Sequence, residues 1–292
     1  MSPYYVYRLA GLLVPRLPVR LAYGLFAWLG NLLYHLSPSA RAIVRANMSH
    51  ALGPQATAAQ IAQATRAVFR HGTQNYCDLF RLPALEPREL EARVQVEGWE
   101  HIEHALARGR GLILVTAHFG APELIAQVVA GRGVTVTTVV ERLQPELLFR
   151  YVCALRKSHG MRVLPVDGAL TRLFRALRRN EVIALLADRD ITKSGIIVDF
   201  FGEPARMADG HVQVALRTGA ALIVGYCRRR GDGTFYASAG APLQFDQTGD
   251  RDTAVRLGVQ QVLAQVESFI AAHPEQWVMF QPIWNVDGKH HG

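Results

Sequence analysis

Residues 111–130 read GLILVTAHFGAPELIAQVVA, and this stretch decides the fold. The apolar run 111–116 has the length of a buried strand. Gly120 suits a sharp turn, and Pro122 suits the first turn of a helix, which Gly131 and Gly133 then end. Strand, turn and helix in this order open a βα unit.

Working outward, the rhythm repeats. Segments 134–140, 162–165, 181–186, 196–200, 221–226 and 234–239 read as strands. Segments 145–158, 169–179, 209–218 and 253–272 read as helices. The alternation predicts an α/β fold with a largely parallel central sheet flanked by helices. Ligands of such sheets bind beyond the carboxyl ends of the strands. That rule points to the residues after GLILVT (111–116) and after VIALLA (182–187).

Upstream, the chain reads as helical. Residues 4–36 form two apolar segments separated by Pro15 and Pro18 and interrupted by Arg8, Arg16 and Arg20. Aromatics at 4, 5, 7, 23, 26, 28 and 34 fit the headgroup level of a bilayer, as in a monotopic anchor. Segment 19–36 is near the minimum length for a span, so spanning and lying on the surface both stay open. Met1-Ser2-Pro3 lacks the basic start of a signal peptide. Ser37 or Ser39 can cap a following helix, and 57–82 carries Ile61, Ala64 and Val68 at helical spacing. The expected organisation is an N-terminal helical, membrane-associating region over 1–95 and an α/β core over 96–288, as one structural unit. Lys289-His290-His291 reads as a disordered end.

The 292 residues are half hydrophobic and 19% charged, which excludes a disordered chain. The net charge of +8 favours acidic partners: membrane phosphates, an acidic carrier protein or nucleic acid. Arginine carries nearly all of it, since Lys157, Lys193 and Lys289 are the only lysines. That bias suits phosphate recognition, and equally a GC-rich genome. No nucleic-acid-binding motif is present, and the aromatic N-terminus points to lipid. Cys77, Cys153 and Cys227 are scattered, without metal or redox spacing, and read as reduced core residues of a cytosol-facing protein.

The chemistry concentrates at His118. It projects from a strand end beside a helix N-terminus, and Glu123 sits in that helix's first turn. An imidazole there can take a proton from an alcohol, while a carboxylate fixes its tautomer and stabilises the imidazolium. Helix-terminal N–H groups offer an oxyanion hole. Asp188 and Asp190 also follow a strand, where they can orient His118, an arginine or a sugar hydroxyl. No ligand cluster accompanies them, so neither a metal nor another cofactor is expected.

Several ordered blocks carry a family resemblance. VEGWEHIEHALARGRGLILVTAHFGAPELI (96–125) resembles the signature of the lipid A late acyltransferases, within the H-x4-D/E lysophospholipid acyltransferases. The likeness continues through ERLQPELLFRYVCALRKSHGMRVLP (141–165), VIALLADRDIT (182–192), VDFFGEPARMADGHVQVALRTGAALI (198–223) and PEQWVMFQPIW (274–284). It implies transfer of a fatty acyl chain from acyl-CoA or acyl carrier protein to a hydroxyl of a membrane glycolipid or phospholipid. The place would be the cytoplasmic face of the plasma (inner) membrane. His118 would be the catalytic base, Glu123 its acidic partner and Asp188, at the acidic start of the family's D-x-D block, a further catalytic residue. Glu141, Arg142, Arg156, Asp190 and Arg206 would bind substrate, although Arg206 is equally suited to stabilising its turn. The sequence has D-R-D at 188–190 where the lipid A branch usually has D-Q-D, and it ends Gln281-Pro282-Ile283-Trp284. Both features are more similar to the phosphatidylinositol mannoside acyltransferases. Two rivals remain: a lipid hydrolase using the same pair, which lacks the expected G-x-S-x-G elbow, and a non-catalytic membrane scaffold.

Overall fold

The computed structural model describes residues 2–246 and 249–284, so 285–292, with the expected core boundary at 288 and the terminal Lys289-His290-His291, lie outside the described residues. Helix α1 (Pro3–Leu13) begins on Pro3 at its first position and is parted from α2 (Val19–Leu36) by Pro15 and Pro18. α3 (Pro38–Leu52) and α4 (Ala58–Arg81) follow, the latter opened by a Thr57/Gln60 capping box. α2 buries the stripe Ala22, Phe26 and Gly30. A methyl group on Gly30 would lie 2.6 Å from the Phe69 carbonyl oxygen, and Thr73 Oγ1 donates to the Phe26 carbonyl at 2.6 Å. The two helices therefore touch backbone to backbone. Among the described residues, no helix is long and apolar enough to cross a membrane.

After α5 (Pro87–Ala92) the elements alternate: β1 (Val94–Glu97), α6 (Trp99–Ala107), β2 (Leu112–Thr116), α7 (Pro122–Gly131), β3 (Val136–Val140), α8 (Glu146–Arg156), β4 (Arg162–Pro165), α9 (Ala169–Arg178) and β5 (Val182–Leu186). Then come β6 (Ile196–Phe200), β7 (Glu203–Met207), α10 (Gly210–Thr218), β8 (Ala221–Arg229), β9 (Phe235–Ala239) and α11 (Arg251–Ala272). The main sheet has the order β1-β9-β8-β2-β5-β3-β4. Strands β8, β2, β5, β3 and β4 run parallel; β9 is antiparallel to β8, and β1 is parallel to β9. The expected α/β fold with a mostly parallel central sheet is the one observed.

β2 sits mid-sheet and is apolar on both faces, as a doubly covered strand must be. Ile113 and Val115 face one core cluster, with α9, α10 and α11, while Leu112 and Leu114 face another, with α6 and α7. Two features depart from the sequence expectation. β1 adds an edge strand, and segment 196–200 lies outside the main sheet, paired antiparallel with β7. Their two-residue turn holds Phe201 and Gly202 at φ 52° and 77°, a twist that suits hairpins. The Phe201 backbone N–H is fixed by Glu267 Oε1 at 2.7 Å.

Candidate active site

The turn after β2 is built by Gly120. Its φ is +59°, and a Cβ there would lie 1.8 Å from the Cys227 carbonyl oxygen, so only glycine lets the chain press against β8. Gly120 N–H donates to the Gln276 carbonyl at 2.8 Å and Ala121 N–H to the Cys227 carbonyl at 2.9 Å. Pro122 then starts α7 without an N–H of its own.

His118 is held from three sides. Its backbone N–H donates to Asp188 Oδ2 at 2.8 Å, its Nδ1 lies 2.9 Å from Asp188 Oδ1, and its carbonyl accepts from Val278 N–H at 2.7 Å. The Trp277 indole N–H also donates to Asp188 Oδ2, at 2.8 Å. Asp188 is fully buried at the end of β5, the strand paired with β2. Burial pushes its carboxyl upward, but the neighbouring His118 and these three hydrogen bonds outweigh burial and hold it below the usual carboxylate range. An ionised Asp188 accepts from Nδ1–H and leaves Nε2 as the free basic nitrogen of the ring.

The other predicted residues make contacts of their own. Glu123 does not reach the imidazole in this arrangement; its Oε1 pairs with Arg156 Nη2 at 2.5 Å. Arg142 is half-exposed between Asp167 and Glu146, at 3.1 and 3.5 Å. Glu141 pairs with Arg189. Asp190 turns back on its own loop, accepting from the N–H groups of Thr192 and Gly195 at 3.0 and 2.7 Å. Arg206 donates to the Gly195 carbonyl at 2.9 Å and so secures the same loop. The helix-terminal oxyanion hole is narrower than expected: the N–H groups of residues 118–121 are all engaged. That leaves Glu123 N–H in the first turn of α7, a position whose donor no helical carbonyl satisfies.

His118, Glu123, Arg156 and Arg189 line one cavity of about 510 Å³. Its other wall is α4, with Gly72, Asn75, Tyr76 and Asp78, and its rim is the C-terminal segment from Val278 to Gln281. Asn47 Nδ2 donates to the carbonyls of Met279 and Gln281, at 3.0 and 2.9 Å, and pins that segment to α3. A second, smaller cavity of about 80 Å³ lies between α6, α7 and the sheet, lined by apolar groups such as Leu114, Ile125 and Trp99; Pro122 borders both. Behind the α4 wall, Asp78 is buried against Arg229 and the Tyr23 hydroxyl, tying α2, α4 and β8 together. Burial and Asp78 push the Tyr23 phenol up to about 12. The three cysteines are free and buried, and burial raises their thiols. No group of residues suited to a metal ion occurs among the described residues.

The family model described as bacterial lipid A biosynthesis acyltransferase matches residues 2–286. The chain belongs to that family. Within it, the chain is 38% identical over 216 residues to the phosphatidylinositol mannoside acyltransferase of Mycobacterium tuberculosis. That match covers 72% of this chain and 66% of the relative, so the chain spans just under two thirds of that relative's length. The protein of the same name from Mycolicibacterium smegmatis is 36% identical, covering 72% of this chain and 68% of the relative. The lipid A biosynthesis acyltransferase of Haemophilus influenzae is 23% identical, with 91% and 82% covered. The lean expected from D-R-D and the closing Gln281-Pro282-Ile283-Trp284 agrees with these identities.

Sequence reasoning within the lipid A acyltransferase family missed the Trp277 indole, the α4 wall and Arg189. The tryptophan was visible in the PEQWVMFQPIW block, and an indole near a buried carboxylate is a donor in need of a partner. Nothing local in 72–78 signals that it faces a strand end.

Proposed function

We propose that this protein transfers a fatty acyl chain from a thioester, acyl-CoA or acyl carrier protein, to a hydroxyl of a membrane glycolipid or phospholipid. The observation that carries this reading is His118, backed by the buried Asp188, lining a cavity with room for a lipid headgroup.

The chemistry follows from that pair. The acceptor hydroxyl gives its proton to His118 Nε2 as its oxygen attacks the thioester carbonyl carbon. Asp188 stabilises the imidazolium that forms. Charge on the carbonyl oxygen is met by the Glu123 N–H at the head of α7. Collapse breaks the C–S bond, and the imidazolium returns its proton to the departing thiolate. No covalent enzyme intermediate is needed. The apolar cavity beyond Pro122 suits the first carbons of an acyl chain.

Attachment to a membrane surface is supported by α1 and α2. Tyr5, Leu9, Leu12, Leu13, Leu21, Leu25 and Trp28 stand exposed there, near Arg8, Arg16 and Arg20. An apolar face with guanidinium groups at its edge fits an interfacial helix pair on an anionic leaflet. The cytoplasmic leaflet is the proposed site, as acyl-CoA and acyl carrier protein are cytoplasmic donors.

The test is to incubate labelled acyl-CoA or acyl carrier protein and lipid extract with the wild type and with His118→Ala. Wild type is expected to label a lipid and the variant to lose at least 10³-fold in rate, roughly the scale of losing a catalytic base. Equal transfer by both sinks the mechanism. Release of free fatty acid without lipid labelling supports the hydrolase alternative instead.

A further inference from the structure

Two guanidinium groups of the cavity are incompletely used. Arg156 gives one terminal nitrogen to Glu123, and Arg189 gives one to Glu141. In each, Nε is buried and has no hydrogen-bond partner among the described residues. A guanidinium presents five donors in a rigid fork, and a single carboxylate oxygen does not fill it. Arg189 is also held loosely, because Glu141 is 56% exposed and such a pair is worth about 0–1 kcal/mol. A phosphate, accepting in bidentate fashion, outcompetes that carboxylate.

We infer that Arg189, with Arg156 of the same cavity, binds a phosphate of the acceptor, and that Glu141 holds Arg189 in place until that phosphate arrives. The assignment to the acceptor rests on the acyl-transfer reading, which puts the acceptor hydroxyl at His118 Nε2. Arg189 directly follows Asp188, whose carboxylate touches His118 through both ring and backbone. Arg189, Arg156 and His118 line one cavity, so a phosphate held by the two arginines shares it with the reacting hydroxyl. The donor's phosphates are separated from the thioester by the whole pantetheine arm and do not come this close. Arg189 is on this account a specificity-determining residue that selects acceptors carrying a phosphodiester beside the acylated ring.

The test is a titration of the full chain in detergent with short-chain phosphatidylinositol, and with a short-chain diacylglycerol glucoside as the phosphate-free counterpart. Wild type is expected to prefer the phospholipid by about tenfold or more, the scale of a lost charge-assisted bond. Arg189→Gln removes most of that preference and Arg189→Lys keeps part of it. Glu141→Gln frees the guanidinium and tightens phospholipid binding. A plain surface ion pair would make Arg189→Gln and Glu141→Gln behave alike, and that result overturns the inference. So does competition by free coenzyme A in wild type that vanishes in Arg189→Gln, which would make the phosphate the donor's. If Arg189→Gln fails to fold, the opposite signs expected for Arg189→Lys and Glu141→Gln still decide. Because the readout is binding, an Arg189-dependent preference without any acyl transfer defeats the catalytic reading alone. Acyl transfer without that preference defeats this inference alone.

Discussion

Asp188 and Glu123 each hold a basic partner beside the same cavity, but in different media. Asp188 is fully buried, with an imidazole, an indole and a backbone N–H on its two oxygens. Glu123 is 24% exposed and has Arg156. A buried carboxylate held by three hydrogen bonds is fixed in one geometry, and it imposes a tautomer on its neighbour. A carboxylate at the rim can exchange partners. The floor of the cavity is thus suited to moving a proton, and the rim to meeting a substrate.

Breaking the floor gives the largest expected effect. Asp188→Asn keeps the shape but presents an amide donor to Nδ1, which favours the unproductive tautomer. Turnover should fall roughly 10³- to 10⁴-fold, as in other triads with this change. Steady-state kinetics check this, with circular dichroism to confirm the fold. A loss under tenfold would place the working acid elsewhere, and Glu123 would be the next residue to test. Glu123→Gln is expected to cost far less, about tenfold, because a half-exposed ion pair is worth about 1 kcal/mol or less and the rest is lost alignment of Arg156. If Glu123→Gln proves the more damaging of the two, the contrast between floor and rim is reversed.

Two further histidines extend the comparison to stability. His211 in α10 is buried with Nε2 unpartnered, and burial lowers it to about 4. His71 in α4 is also lowered to about 4, by burial and then by Arg229 and Arg70. Both bind their proton more readily in the unfolded chain. Their effect is therefore absent above pH ~6.5, and stability falls as the pH drops from there to about 4. The expected loss is a few kcal/mol in total, read as a melting temperature that falls across this window. His211→Gln should flatten the fall, and an unchanged profile in that variant would show that His211 does not drive it.

Much of this was legible in local sequence. β2, the Gly120 turn and the Pro122 start of α7 were readable because an apolar run, a glycine and a proline each impose their conformation within a few residues. β4 was readable over its full length, Arg162–Pro165. The hairpin turn at Phe201-Gly202 was hidden, because a phenylalanine at positive φ contradicts its own propensity and depends on Glu267 from a distant helix. Asp188 was readable as one group able to orient His118, but the choice between it and Glu123 was not legible, for a related reason. Glu123 is five residues away along the chain, whereas Asp188 is seventy away and arrives only because β5 pairs with β2 in register. Spacing counts neighbours along a chain, and a parallel sheet makes neighbours of strand ends.

The Trp277 indole and the Val278 N–H, which clamp Asp188 and His118, have a consequence for synthesis. A ribosome delivers all five parallel strands, and both members of the pair, before it delivers the residues that lock them. A nascent chain that has reached residue 276 lacks the Trp277 donor to Asp188 and the Val278 N–H that meets the His118 carbonyl. The contacts that hold His118 and Asp188 are thus completed only once residues 277 and 278 have been made, later than every strand of the main sheet.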